Sequence, residues 1–250
     1  MSVRGGRLFL WWLLALVVAG GFAQAGRWQL ERMHEKQAIV EDGARALTRA
    51  NPQPLLLASD PKRTYAYDWA LGTGRILNVT LWLDGQQREG VVGVRMYCIL
   101  LPDIGAQALL VDAGWRPLGG DRVLPEYGCP AGGDQHVRGL LAPPPSEGLR
   151  HGAALAGAGP DRWLMARMDL PAIAASLRLP MKLAPRVLRI DSRRLEGDQG
   201  VMAAPNEREL VILPNTMSPD RHLGYAVQWF GLALTVLVVA LLLSIRALRK

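Results

Sequence analysis

LGYAVQWFGLALTVLVVALLLSI, residues Leu223–Ile245, runs for 23 residues without a charge. As a helix rising 1.5 Å per residue it spans roughly 34 Å, against a bilayer hydrocarbon core of about 30 Å. It is long enough to cross with some tilt. LFLWWLLALVVAGGFAQA, residues Leu8–Ala25, is a second uncharged run with a single polar residue, and it spans roughly 27 Å. A buried core helix of either length would show regular polar breaks, which neither run does. The first run has a rival reading. Ala23-Gln24-Ala25 fits a signal-peptidase site, and Arg4 and Arg7 make a basic leader. The length of the run and the interfacial pair Trp11-Trp12 favour a retained helix.

Charge orients the two spans. Arg4 and Arg7 precede the first, while Arg246, Arg249 and Lys250 follow the second, and neither tail holds an acid. Of the 29 basic groups five lie in these tails, leaving 24 against 22 acidic ones between them. The net charge of +7 is therefore positive-inside anchoring and not a nucleic-acid surface. The expected layout is a tail at 1–7, a membrane helix at 8–26, a periplasmic domain at 27–222, a second membrane helix at 223–245 and a tail at 246–250. Both tails are expected in the cytoplasm, with the bilayer of the cell inner membrane as the first partner and no nucleic acid.

Residues 27–50 are rich in helix formers and continue the first helix until Asn51-Pro52 breaks it, with Gly43 a candidate earlier break. Beyond that the period changes to two. Leu77, Val79, Leu81 and Leu83 alternate with polar residues and Trp82, and Asp84-Gly85 then reads as a hairpin turn. Further strands are expected at 92–101, 108–111, 136–141, 164–168, 187–191 and 210–213. Asp169 caps a short helix through Leu177, with Pro171 in its first turn. Gly72-Thr73-Gly74 reads as a turn, Pro143–Pro145 and 155–160 as loops, and 196–208 as an exposed loop. The fold class is thus two membrane helices flanking an α+β, mainly antiparallel or barrel-like, extracytoplasmic domain.

Cys98 and Cys129 are too few for a disulfide scaffold and lack metal-site spacing. Cys98 lies in a predicted strand and Cys129 in a Gly-Pro-rich loop. A bridge and a pair of unlinked core residues both fit the exported compartment, and the expectation is that no bridge needed for folding forms. The chain has no Walker loop, dinucleotide fingerprint, HExxH, nucleophile elbow or CXXCH. Its four histidines are widely separated. Convergent catalytic groups are not evident, so an enzyme is disfavoured.

The informative residues gather where each helix leaves the membrane. Arg27, Trp28, Gln29, Arg32 and His34 stand at the first exit. Arg221, His222, Tyr225, Gln228 and Trp229 stand at the second. His222, Tyr225 and Trp229, spaced i, i+3 and i+7, share a face, with Gln228 beside them. An interfacial belt accounts for the aromatics and Arg27. Gln228 and His222 point instead to a protein or ligand contact. If the helices are adjacent, Trp28 and Gln29 lie at the depth of His222 and line one pocket. Of the four histidines, only His222 and His34 stand near these exits. His136 and His151 are ordinary domain residues.

Some of these residues carry a family resemblance. HLGYAVQWFGLAL (His222–Leu234) resembles the second-helix motif of the surfeit-locus-one family of cytochrome oxidase assembly factors. Gly26, Trp28, Gln29, Arg32 and Lys36 resemble that family's Gly-x-Trp-Gln-x-x-Arg-x-x-x-Lys motif. Leu110–Pro117 resembles its Val-x-Arg-Gly-Trp-x-Pro segment, with Ala113 where arginine is usual. The resemblance implies biogenesis of a haem-copper terminal oxidase, at the step that brings haem a to the catalytic subunit. It implies haem bound through His222. On their character, Tyr225 and Trp229 suit packing on a porphyrin, and Arg27, Arg32 or Arg221 suit its propionates. The enzyme that synthesises haem a is a further expected partner. The alternative is a cofactor-free scaffold that holds oxidase subunits together.

Overall fold

The computed structural model describes residues 3–49, 51–105, 107–130, 132–145, 152–191, 212–213 and 216–249. Two compact units emerge, residues 1–40 with 216–250, and residues 41–215.

The first unit is a pair of helices. α1 (Val3–Leu47) is unbroken from the first apolar run into the polar stretch, as its composition predicts. Gly43 does not interrupt it. In the second unit the missing Cβ of Gly43 leaves room for Ile212, which would otherwise lie 2.6 Å away. α3 (Pro219–Leu248) starts with a proline in its first turn, where no amide partner is lost. Both helices are long and apolar enough to cross a membrane, with mean hydropathy 1.9 and 2.4 in their apolar windows.

Among its described residues the second unit is a sheet of eight strands: β1 (Gln53–Pro54), β2 (Asp68–Arg88), β3 (Val91–Pro102), β4 (Ala108–Pro117), β5 (Asp134–Ala142), β6 (Leu155–Gly157), β7 (Arg162–Met165) and β8 (Leu183–Ile190). α2 (Leu170–Ser176) begins at Asp169, whose carboxylate accepts from the Ala172 amide at 3.0 Å. Neighbouring strands run β3, β4, β8, β5, β2, and β2 also pairs with β3, so these five close into a barrel. The closure depends on the length of β2, whose first half pairs β5 and whose second half pairs β3. Trp82, Cys98, Val111, Val137 and Leu188 belong to one buried cluster. Leu81, Ile99, Leu110 and Val187 belong to a second, together with Ile173 of α2. Strand alternation sends successive residues to the two clusters.

Several sequence expectations are corrected here. Asp84-Gly85 is a bulge inside β2, with the register shifted between Leu83 and Gln86 and Gly85 at φ +68°. The hairpin turn is Glu89-Gly90, both at positive φ, which suits a two-residue loop between twisted strands. Gly72-Thr73-Gly74 is interior to β2, because a Cβ at Gly74 would strike the backbone at Leu101. The expected loop at 155–160 contributes β6, paired to β7, and β7 stops at Met165. Residues 196–208, 210 and 211 lie outside the described residues, and Ile212–Leu213 form a bend. Cys98 and Cys129 are joined in a disulfide, Cα–Cα 5.7 Å, which decides between the bridge and the unlinked pair that the sequence left open. The Cys129 amide also donates to Thr80 Oγ1 at 2.9 Å, so the loop is laid on the barrel beside Cys98. Closing a loop of 31 residues contributes about 3.7 kcal/mol in the chain-entropy model. Ala113, at the position where arginine was usual, is fully buried in the first cluster.

Candidate functional site

The helix pair is built on small residues. Ala19 and Gly26 of α1 and Ala226 and Ala233 of α3 are buried, and small residues let helix backbones approach closely. A Cβ on Gly26 would lie 2.9 Å from Phe230 Cζ, so the Phe230 ring rests where a larger residue could not be accommodated. Phe22 meets Trp229 with ring centroids 5.6 Å apart. At the far end Trp12 Nε1–H donates to Ser244 Oγ at 2.8 Å. These pairs make the helices antiparallel. On α3 the seam follows His222, Ala226, Trp229 and Ala233, the alternating steps of four and three that keep one face toward a partner helix.

At the end of this seam where α3 begins, His222 is 8% exposed, and its Nδ1 lies 2.7 Å from Gln29 Oε1. Its Nε2 makes no hydrogen bond to a described residue. Among the described residues no cluster of three or more His, Cys, Asp or Glu could hold a metal ion.

The other predicted residues separate into two groups. Gln29 and Trp229 join His222 in the seam. Tyr225, Gln228, Trp28 and Arg32 do not and are exposed. This corrects the expectation that Tyr225 shares the face of His222 and Trp229. At about 100° per residue, Tyr225 falls about 60° to one side of His222 and Gln228 about 120°. Trp28 and Arg32 fall to the same sense from Gln29, and because the helices run antiparallel the two sets emerge on one flank of the pair. There Arg32 lies over the Trp28 ring, 5.8 Å from guanidinium carbon to centroid, and also bonds Glu35 at 2.7 Å. Arg221 falls on this flank too and makes no ion pair with a described residue. Arg27 points away and pairs with Glu31 at 3.4 Å. A separate cleft of about 780 Å³ lies lower between the helices, lined by residues such as Trp11, Val18 and Val239. Its hydroxyls, Thr235 and Ser244, bond back to Gly231 and Ala240 carbonyls, so it offers no metal donor.

A family model described as the SURF1 family matches residues 16–234. The chain belongs to the SURF1 family. The resemblance read in its motifs is thereby established. Membership gives the chain a role in cytochrome oxidase assembly and an association with oxidase subunits. SURF1 family members are assembly factors. The matched region includes both halves of the seam, Gln29 and His222 with it. No curated protein matches the chain. The buried seam residues Ala226 and Ala233 of the SURF1 chain were not among the candidates, although their spacing with His222 and Trp229 was legible in the sequence.

Proposed function

We propose that this chain carries haem a and delivers it to the catalytic subunit of a haem-copper oxidase. The observation that supports this reading most is the buried His222, held through Nδ1 by Gln29, with Nε2 making no hydrogen bond to a described residue. Around it the flank supplies what an amphipathic porphyrin needs. Trp28 and Tyr225 offer faces for the ring, and Arg221 and Arg32 offer partners for propionates. Trp229, committed to Phe22, is a wall of the seam. His222 would be the residue that holds the iron of a haem bound here. The chain's own residues fix its imidazole, screen one side of the ring and hold the carboxylates at the membrane surface.

In this reading both ends of the chain face the cytoplasm and residues 27–222 the periplasm, in the cell inner membrane, with the haem a synthesis enzyme as donor. Alkaline phosphatase fused after Met217 is expected to be active and fused after Lys250 inactive, and the reverse would refute the topology. Removing the protein from cells is expected to leave the catalytic subunit in the membrane with its haem a content reduced. A catalytic subunit that retains full haem a but no longer associates with its neighbours would favour the cofactor-free scaffold.

A further inference from the structure

We infer that Gln29 is a positioning residue that holds His222 in the tautomer needed for metal binding. The inference rests on the haem reading above, but its physical content concerns the chain without haem. The contact atom on Gln29 is Oε1, 2.7 Å from His222 Nδ1. An amide oxygen only accepts hydrogen bonds, so the proton sits on Nδ1. The lone pair is then on Nε2, the nitrogen with no hydrogen bond to a described residue. A free histidine side chain in water prefers the opposite tautomer, with the proton on Nε2 and that nitrogen unable to ligate. Gln29 therefore reverses an intrinsic preference and also fixes the rotation of the ring about its bonds.

The helix seam explains how a glutamine can do this. Gly26 lies one turn before Gln29 on α1, and its missing side chain brings the Phe230 ring and the α3 backbone close. Gln29 is thereby near enough for its short side chain to reach His222, which is buried with Ala226 one turn along. A metal-bound histidine commonly donates its second N–H to an oxygen acceptor, which fixes the tautomer and raises the basicity of the ligating nitrogen. Losing such an acceptor typically weakens metal affinity about 10–100-fold.

The test uses the full chain in detergent with 15N-labelled histidine and no haem. His222 is assigned by its loss in His222→Ala. In the wild type and in Gln29→Glu, which keeps an acceptor, the His222 resonances are expected to report the Nδ1–H tautomer. In Gln29→Leu, which has no acceptor, they are expected to move to Nε2–H. Haem titration follows on the same samples. Gln29→Leu is expected to bind about 10–100-fold more weakly than wild type, with Gln29→Glu rescuing affinity and lowering the haem midpoint potential through a more basic imidazole. An Nε2–H tautomer in the wild type would mean that the amide is reversed and donates, and would overturn the inference. So would equal affinity in Gln29→Leu and wild type. An Nδ1–H tautomer that responds to Gln29 in a wild-type chain that takes up no haem would overturn the haem reading while leaving the tautomer assignment standing.

Discussion

Asp68→Asn is expected to lower the stability of the sheet domain by about 3–5 kcal/mol, the cost of breaking a buried ion pair from one side. Asp68 is fully buried at the start of β2, and Arg186 of β8, also fully buried, reaches it with Nη2 2.9 Å from Oδ2. Arg63 adds two bonds, at 3.1 and 2.5 Å, and Arg49 a longer one at 3.2 Å. Arg186 also donates to the Leu57, Ala66 and Leu141 carbonyls, which satisfy hydrogens but do not balance charge. With an amide at position 68 the guanidinium of Arg186 remains in the interior without the carboxylate that bonds it. The same group governs acid stability. Burial pushes the Asp68 carboxyl up, but its bonds to Arg63 and Arg186 outweigh this and hold it below the ordinary carboxylate value. The unfolded chain therefore binds the proton more readily than the folded one. The contribution is complete above about pH 3.9, the unfolded value, and is lost as pH falls through the folded value. Urea unfolding of the full chain in detergent, followed by tryptophan fluorescence at neutral pH and on acidification, checks both points. Asp68→Asn should unfold at lower urea and lose this part of the acid dependence. An unchanged midpoint would show that the carbonyl cage alone stabilises Arg186.

Much of the architecture was legible because it rests on strong local signals. An uncharged run of 18 or 23 residues has few soluble alternatives, and Asp169 with Pro171 is a helix start whose chemistry is local. What failed was decided by contacts between distant residues. Asp84-Gly85 has the composition of a hairpin turn. The register against β3 nevertheless makes it a bulge, and the turn falls at Glu89-Gly90. Gly72 and Gly74 resemble turn glycines, but their role is close packing against Leu55 and Leu101. The disulfide could not be read because only the folded loop brings Cys129 beside β3. At the site, His222 and Gln29 stood out as polar residues at a membrane exit, and they meet. Tyr225 was misplaced because an i, i+3 step falls to one side of a seam that proceeds through Ala226, and the seam is chosen by small residues that no chemical motif marks.

His222→Ala is expected to abolish haem retention while the protein still inserts and folds. The imidazole is the one metal donor the seam offers, since Trp229 and Gln29 are poor iron ligands and His34 lies beyond the Gln29 level on α1. Loss of an outer-shell partner costs about 10–100-fold in metal affinity, so loss of the donor itself should exceed about 100-fold. The apolar length of α3 and the packing of Ala226, Trp229 and Ala233 are untouched, so insertion should persist. His34→Ala should leave binding near the wild-type level. The decisive measurement is the haem a content per chain of wild type and His222→Ala, purified side by side from cells that synthesise haem a and read by absorption after extraction. The account predicts about one haem a per wild-type chain and almost none in the variant. Equal haem a in both, or none in the wild type, would contradict it.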